Sequence, residues 1–377
     1  MYSLFLIPLL MFTLPTMYQY NLTIVIINNG ETLFPGDPIY DYFLTQNIFP
    51  NSSYQQVFIE KVSLNGTMAN FKIFFDEDGN PFIKIISDVP LNKGESMSLS
   101  IIFSIQLKEK HYDISNVGKI SDIPKDIIEK YSLTGIWQVT ESQKEEILNF
   151  LNSIIGDEEN VLFIILKILN WFENTMKYSF GLFAPQDVWY TYSSKSGDCD
   201  DMANLFVLFC RCLNIPAYTA IGAVYIPGIN SLEQDGNMIF NLNNVAWHGW
   251  AMVYLPKDSG GSWYPVDFTF FRGAYFVNGH IKSQNLIDHI TYSCFYTYPT
   301  FEFLSINYQN YIKEFNNIRE IIQKSNISWI EYHQVTFMDT NHIVDYGIIV
   351  LVIFIILALL ILHKIRSVIP HEAPSSI

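Results

Sequence analysis

The sequence is poor in cysteine and in basic side chains. Four cysteines in 377 residues are too few for a disulfide framework, and none has the Cys-x-x-Cys spacing of a zinc site. Only 22 lysines and arginines stand against 37 aspartates and glutamates, which gives a formal net charge of −15, and no basic block occurs. Because phosphate binding needs clustered positive charge, the composition disfavours nucleic acid as a partner. The sequence predicts neither a bound metal nor a cofactor.

Hydrophobic runs lie at both ends of the chain. Residues 4–14 (LFLIPLLMFTL) have the length of a secretory signal core but are too short to span a bilayer comfortably. No basic residue precedes this run and no A-x-A cleavage site follows it. We therefore interpret residues 1–20 as a signal peptide or an uncleaved anchor.

The C-terminal run is long enough to cross a membrane. Residues 343–363 carry no Lys, Arg or Glu and one Asp near their start, and they predict a transmembrane helix. Lys364 and Arg366 follow, so the positive-inside rule places residues 364–377 in the cytoplasm. We predict a single-pass protein of the cell membrane whose bulk is extracytoplasmic. Candidate glycosylation motifs, each alternatively an unmodified loop asparagine, begin at Asn21, Asn51, Asn65 and Asn326.

Residues 21–115 are rich in short, alternating, β-branched segments. The segments LTIVII, QVFIEKVSL, FKIFF, FIKII and SLSIIFSIQL are separated by turn signals such as NNG and EDGNP. Turns that recur at this spacing favour a β-sandwich domain.

The pattern changes to helices followed by strands over residues 125–300. Thr140 and Gln143 resemble a capping box, and Asp157 is expected to cap a second helix over residues 158–178. An almost wholly apolar helix follows Cys199, and strand-like segments begin at Ala217. This order predicts an α+β domain rather than βαβ units. Residues 301–342, with one helical apolar stripe, are expected to form a C-terminal extension and a stalk.

Cys199 lies in the stretch SGDCDDMA at a predicted helix start. The helix dipole and unpaired N–H groups favour the thiolate there, whereas the neighbouring aspartates oppose it. Position alone leaves two interpretations, a nucleophile or an inert buried thiol.

His248 supplies a candidate base for this thiol. In a strand, His248 and Trp250 share one face, so the indole can support the imidazole. Asp267 comes 19 residues later, on a neighbouring strand, where it can accept the imidazole N–H. The alternatives are a core histidine and a strand-end carboxylate.

Together, SGDCDDMANLFVLFCRCLNIPAY, WHGWAMVYLP and SWYPVDFTF resemble the core of the transglutaminase-like superfamily. The resemblance covers roughly residues 140 to 280 and is to prokaryotic, membrane-anchored members. It implies a papain-like fold in which Cys199, His248 and Asp267 are catalytic. Asn214 stands where glycine is commoner, and Lys195 is the stand-in for a basic residue before the glycine. No acidic cluster resembles the calcium sites of animal transglutaminases.

For the second oxyanion donor, beside the Cys199 amide, the candidates are Trp189 and Gln186. The remaining cysteines and histidines are assigned no chemistry. Cys210 and Cys212 are expected in the core, and Cys294 is either free or in a disulfide. His280 and His289 have no acidic partner pattern nearby, so no metal site is predicted there.

The resemblance implies a cysteine protease or amidase that acts on peptide or side-chain amide bonds through a thioester. Its partners are expected to be the membrane and a protein or peptide substrate at the cell surface. Two alternatives stay open: a protein cross-linking acyltransferase, and a non-catalytic cell-surface binding module on the same scaffold.

Overall fold

A computed structural model describes residues 16–76, 79–110, 112–179, 185–304 and 309–338. The chain divides into two units, one formed by residues 18–336 and one by the two chain ends, 1–17 and 337–377. The second unit is described only at residues 16, 17, 337 and 338. All other described residues belong to the first unit.

The strands of the described ranges, in chain order, are β1 (Thr16–Asn28), β2 (Thr45–Asn47), β3 (Gln55–Leu64), β4 (Thr67–Met68), β5 (Phe71–Phe75), β6 (Pro81–Ile85), β7 (Ser96–Leu107), β8 (Lys177–Tyr178), β9 (Ser196–Gly197), β10 (Ala217–Asp235), β11 (Met238–Leu255), β12 (Ser262–Val266), β13 (Tyr275–Val277), β14 (His280–Lys282), β15 (Thr300–Leu304) and β16 (Ile327–Met338). The α-helices are α1 (Pro38–Leu44), α2 (Lys125–Lys130), α3 (Glu141–Ile155), α4 (Val161–Thr175), α5 (Val188–Ser194), α6 (Cys199–Cys212), α7 (Asp288–Thr291), α8 (Cys294–Thr297) and α9 (Gln309–Lys324).

Nine strands form one continuous sheet in the order β15-β10-β11-β16-β1-β7-β3-β4, with β12 added to β11. The long strand β11 joins its two halves. Residues 238–243 of β11 pair in parallel with β16, and residues 251–255 pair antiparallel with β12. Antiparallel pairing with β10 extends along almost the whole of β11. The candidate base His248 therefore lies in an interior strand, paired with β10 on one side and placed between the β16-paired and β12-paired segments on the other.

The N-terminal strands are confirmed, but a separate β-sandwich is not. All five predicted segments form strands, and alternate residues of β1 are buried, as one face of a sheet requires. However, β1, β7, β3 and β4 continue the nine-stranded sheet, and only β2, β6 and β5 form a second sheet. The reason is that β16, from the segment predicted as extension and stalk, lies between β1 and β11. The predicted domain boundaries stay a prediction, and the main sheet crosses them.

The helices before the candidate nucleophile are capped by short polar side chains. The predicted capping box of α3 is confirmed, because Thr140 N–H donates to Gln143 Oε1 over 2.8 Å and Gln143 N–H to Thr140 Oγ1 over 3.3 Å. The predicted start of α4 is wrong. Asn160, not Asp157, is its N-cap and accepts the N–H groups of the two residues that follow Val161, so the helix covers Val161–Thr175.

Three hydrophobic clusters occur among the described residues, and the two larger ones hold these layers together. The first surrounds α6, which α3, α4, β11 and β12 enclose, and it includes the nearly fully buried segment 202–210. The second packs β1, β7 and β16 against α1, β6 and the predicted apolar stripe of α9. Among the described residues, no helix is both long and apolar enough to cross a membrane. The predicted span at 343–363 lies outside the described residues and stays a prediction.

Candidate active site

Cys199 is the first residue of α6, as the sequence predicts. Asp198 is the N-cap: its Oδ1 accepts the Asp201 N–H at 3.5 Å, while Asp201 Oδ2 accepts the Asp198 N–H at 3.2 Å. This reciprocal pair satisfies two N–H groups at the helix start. The half-buried Cys199 is therefore held at the positive end of the helix dipole.

The surroundings of the thiol nevertheless favour its protonated form. Burial raises the pKa of Cys199, and the charges of Asp200 and Asp198 raise it further. A hydrogen bond from the Gly249 N–H lowers it, but the net pKa is well above that of an ordinary cysteine. Burial and like charge thus outweigh the Gly249 hydrogen bond, which is why the thiol is the favoured resting form.

The contact with Gly249 brings the helix start to the strand that carries His248. A Cβ atom at position 249 would lie 2.7 Å from the Cβ of Asp200 and 3.1 Å from Ile221 Cδ1. Only glycine leaves room for this approach of α6 to β11. The residue next to His248 in the chain therefore touches the Cys199 sulfur.

His248 and Asp267 form a buried hydrogen-bonded pair. His248 Nε2 lies 3.1 Å from Asp267 Oδ1, and their side chains are 6% and 0% exposed. The predicted contact with Trp250 is present, since the imidazole and indole rings stack with centroids 6.1 Å apart and an interplanar angle of 27°. Phe270 packs edge-on at 5.8 Å. The ring is thus confined by aromatic groups and oriented by one carboxylate.

Backbone donors hold the Asp267 carboxylate. Its Oδ1 accepts N–H groups from Thr269 at 3.1 Å and Phe270 at 2.9 Å, and its Oδ2 accepts the Cys294 N–H at 3.0 Å. Burial raises the pKa of Asp267, but the charge and hydrogen bond of His248 and these N–H donors lower it more, to well below its ordinary value. The carboxylate is therefore ionised.

Cys294 is a neighbour of this pair that sequence reasoning left unassigned. All four cysteines are free, and Cys294 is fully buried. The Cys294 sulfur, one ring nitrogen of His248 and one carboxylate oxygen of Asp267 all lie within 4.8 Å of one another. The corresponding atoms of Asp198, Cys199 and Asp200 form a second group of this kind. Both sets contain donors that could share a metal ion. In the first, however, the Asp267 oxygens already accept N–H groups.

Gln186 and Trp189, the candidates for a second oxyanion donor, have other contacts. The Gln186 backbone N–H and side-chain Nε2 each lie 2.6 Å from an oxygen of Asp201, so Gln186 braces the capping box. The Trp189 ring packs at a tilt against Tyr192, with centroids 5.3 Å apart, beside the α6 core. An oxyanion role for either side chain stays a prediction. Lys195, predicted to stand in for a basic residue, places its ammonium 3.4 Å from the centre of the Tyr192 ring.

The four candidate glycosylation asparagines differ in accessibility. Asn51, Asn65 and Asn326 are exposed. Asn21 is half-buried inside β1, and its Oδ1 is buried without a hydrogen-bond partner. The three exposed asparagines are the better placed acceptors, and glycosylation stays a prediction.

The region that contains the candidate active site is similar to known proteins. Residues 149–268 match the sequence model of the transglutaminase-like superfamily. A candidate cysteine protease from Cytophaga hutchinsonii is 15% identical, with 87% of this chain and 93% of that chain covered and a TM-score of 0.47. A candidate protease from Parabacteroides distasonis is 10% identical, with 67% and 66% covered and a TM-score of 0.23. The periplasmic domain of TgpA from Pseudomonas aeruginosa, bound to ethylmercury, is 12% identical, with 67% and 88% covered and a TM-score of 0.29. No curated protein matches the chain.

Proposed function

Because residues 149–268 form a core of the transglutaminase-like superfamily, we propose that this chain is a thiol enzyme that hydrolyses peptide or side-chain amide bonds. The observation that carries the proposal is that His248, paired with the buried Asp267, is followed on β11 by Gly249, whose N–H donates to the Cys199 sulfur. A nucleophile, a base and an orienting carboxylate are the three groups that acyl transfer to a side chain uses.

The resting thiol requires that its proton leave as the attack occurs. Nε2 of His248 is hydrogen-bonded to Asp267, so Nδ1 is the nitrogen that takes the Cys199 proton. The sulfur then bonds to the amide carbonyl carbon, and the resulting oxyanion accepts the Cys199 N–H, which has no intrahelical partner at the first position of α6. Asp267 stabilises the imidazolium that forms.

The second half of the cycle returns both groups to their starting state. His248 gives its proton to the departing nitrogen as the carbon–nitrogen bond breaks, which leaves a thioester on Cys199. A water molecule loses a proton to His248 and its oxygen bonds to the thioester carbon. The carbon–sulfur bond then breaks, the acid is released, and His248 returns the proton to the sulfur. In a cross-linking acyltransferase, a primary amine takes the place of water at this step.

We also propose that residues 343–363 anchor the chain, with the site outside the cell. The support is their apolar length and the basic residues that follow them. A protease-cleavable tag after residue 377 should be inaccessible in intact cells and accessible after lysis. Cleavage in intact cells would reverse the orientation.

One observation favours a second candidate, the non-catalytic binding module: the raised pKa of the Cys199 thiol. The deciding experiment incubates the full-length chain with a defined peptide mixture in ¹⁸O-labelled water, with and without a labelled primary amine. New labelled C-termini identify a protease, ¹⁸O-labelled glutamate in place of glutamine identifies an amidase, and amine incorporation identifies a cross-linker.

The matched control is Cys199→Ser, which keeps the shape of the helix start. If the wild-type chain and this variant give identical product spectra with every peptide, the enzyme proposal is wrong. Binding of unmodified peptides would then favour the binding module.

A further inference from the structure

His289 lies directly behind Asp267. It belongs to α7 and is 1% exposed. Its Nδ1 lies 2.6 Å from the Asp267 carbonyl oxygen, and the Asp267 N–H donates to the His289 carbonyl oxygen over 2.9 Å. Two reciprocal hydrogen bonds therefore attach the backbone of Asp267, whose carboxylate orients His248, to a single histidine.

The other nitrogen of His289 meets a carboxylate from a different helix. Its Nε2 lies 2.9 Å from Oε1 of Glu173, near the end of α4. The same oxygen accepts the Ser283 N–H at 2.8 Å and the Ser283 hydroxyl at 2.5 Å. The Glu173 side chain is 10% exposed. His289 thus bridges α4 and the turn that follows β12.

The hydrogen-bond partners of the His289 ring indicate which of its nitrogens carry hydrogen. The Asp267 carbonyl oxygen can only accept, so Nδ1 must carry hydrogen. Glu173 Oε1 accepts two bonds from Ser283, which favour its carboxylate form, and opposite a carboxylate Nε2 carries hydrogen as well. A histidine that donates from both nitrogens is an imidazolium. Burial raises the pKa of Glu173, but its bonds with His289 and Ser283 lower it below the ordinary value, in agreement with a carboxylate.

The other groups around the ring leave this pairing undisturbed. Phe268 and Phe271 pack on it with centroids 6.1 and 4.2 Å away. Asp288, the other titratable residue of α7, accepts the Asn285 N–H at 3.0 Å. The charged end of Lys282, on β14, donates to Asn174. Glu173 is therefore the carboxylate that contacts the ring directly, whereas Asp267 contacts it through its backbone carbonyl oxygen.

We propose that His289 is a positioning residue: a buried imidazolium, held by Glu173, that fixes Asp267 and through it the orientation and tautomer of His248. Its effect on turnover rests on the proposed function, whereas its protonation and its effect on His248 do not. His289 is separated from the reacting atoms by Asp267 and contacts no substrate in this arrangement.

Protonation is tested on the full-length chain labelled with ¹⁵N-histidine. In the wild-type chain, the resonances that disappear in His289→Asn should show hydrogen on both nitrogens. Glu173→Gln removes the counter-charge, so the ring should keep hydrogen only on Nδ1. A neutral His289 in the wild-type chain would overturn the proposal.

Positioning is tested with two amide variants that separate the bonds. In His289→Asn the amide nitrogen takes the place of Nδ1 and can still donate to Asp267. In His289→Gln it takes the place of Nε2 and reaches Glu173 instead. If kcat depends on the position of Asp267, the glutamine variant loses about 10–100-fold in kcat, with little change in KM, and the asparagine variant much less.

The His248 resonances give the same answer without turnover. Hydrogen should stay on Nε2 of His248 in His289→Asn and exchange between its two nitrogens in His289→Gln. Equal effects of the two variants on both kcat and His248 would reduce His289 to a packing residue. If wild type shows no turnover but the His248 signals separate the variants, the proposed function fails and the positioning role stands.

Discussion

Asp267 and Cys199, the two residues proposed to act with His248, differ in how they are held. Three backbone N–H groups, His248 and the α7 backbone fix Asp267, which is fully buried. Cys199 is half-buried at a helix start, where the Gly249 N–H contacts its sulfur and two carboxyl groups oppose its ionisation. We call Asp267 and its partner His248 the rigid end of the site, because many contacts fix the ionised carboxylate. Cys199 is the adjustable end, because it is a neutral thiol whose pKa depends on its neighbours.

The largest effect is expected at the rigid end, from Asp267→Asn. Asparagine has one acceptor oxygen and one donor NH2 group. Whichever way the amide is turned, its NH2 group faces another N–H donor, either near His248 or at Cys294. The loss of the charge and of one bond should lower kcat about 10²–10⁴-fold and stability by about 1–3 kcal/mol. Turnover and thermal melts measure both.

The matched control for this variant is Asp288→Asn, which changes a buried carboxylate that accepts a nearby N–H. It should leave kcat nearly unchanged. Wild-type kcat in Asp267→Asn would refute the assigned role of Asp267.

The junction between the two ends is tested by Gly249→Ala. The new methyl would lie 2.7 Å from the Asp200 Cβ, so the start of α6 must move away from β11. A displacement of about 1 Å at a reacting pair can cost about 10²-fold in rate, with about 1–3 kcal/mol lost through overpacking. Gly30→Ala is the control, because its nearest contact would be 3.5 Å. Unchanged turnover would show that the contact does not align the site.

The sequence predicts the chemistry-bearing residues better than their supports. The start of α6, the shared face of His248 and Trp250, and the strand before Asp267 follow from local signals: a capping residue, a period of two and a turn. Glu173 cannot be found this way, because its partner His289 is 116 residues distant. Such contacts exist only once the sheet and helices have packed.

Two other features escape the sequence for physical reasons. α1 has only seven residues, too few for a helical period to emerge. The strand β16 lies in an aromatic-rich segment just after a helical stripe, where its alternation is partly masked by exposed aromatic residues such as Phe337. The ionisation of Cys199 is likewise undecided from sequence, because its helix dipole and its acidic neighbours act in opposite directions, and the extent of burial decides between them.

The adjustable end is tested by Asp200→Asn. Asp200 is the charge that most raises the pKa of the Cys199 thiol, and asparagine has the same shape without the charge. Since one pKa unit changes the thiolate fraction tenfold, alkylation of Cys199 at pH ~8 should accelerate about 3–10-fold, as read by peptide mass. Asp126→Asn, on the exposed side of α2, is the control. An unchanged rate would mean that the Asp200 charge does not set the thiol pKa.

The smallest effect concerns the cap of α6. Burial and the neighbouring Asp200 raise the pKa of Asp198 to about 9, above the ~3.9 of an unfolded aspartate. Between these values the folded chain keeps a proton that the unfolded chain has lost, so this group makes stability fall as pH rises. In Asp198→Asn the new amide would still accept the Asp201 N–H but has no proton to lose. The Tm of this variant relative to wild type should therefore increase from pH ~5 to ~8, whereas that of Asp157→Asn, an exposed control, should stay flat. Parallel curves for both variants would mean that Asp198 titrates as an ordinary aspartate, so that its full negative charge already opposes Cys199 ionisation at neutral pH.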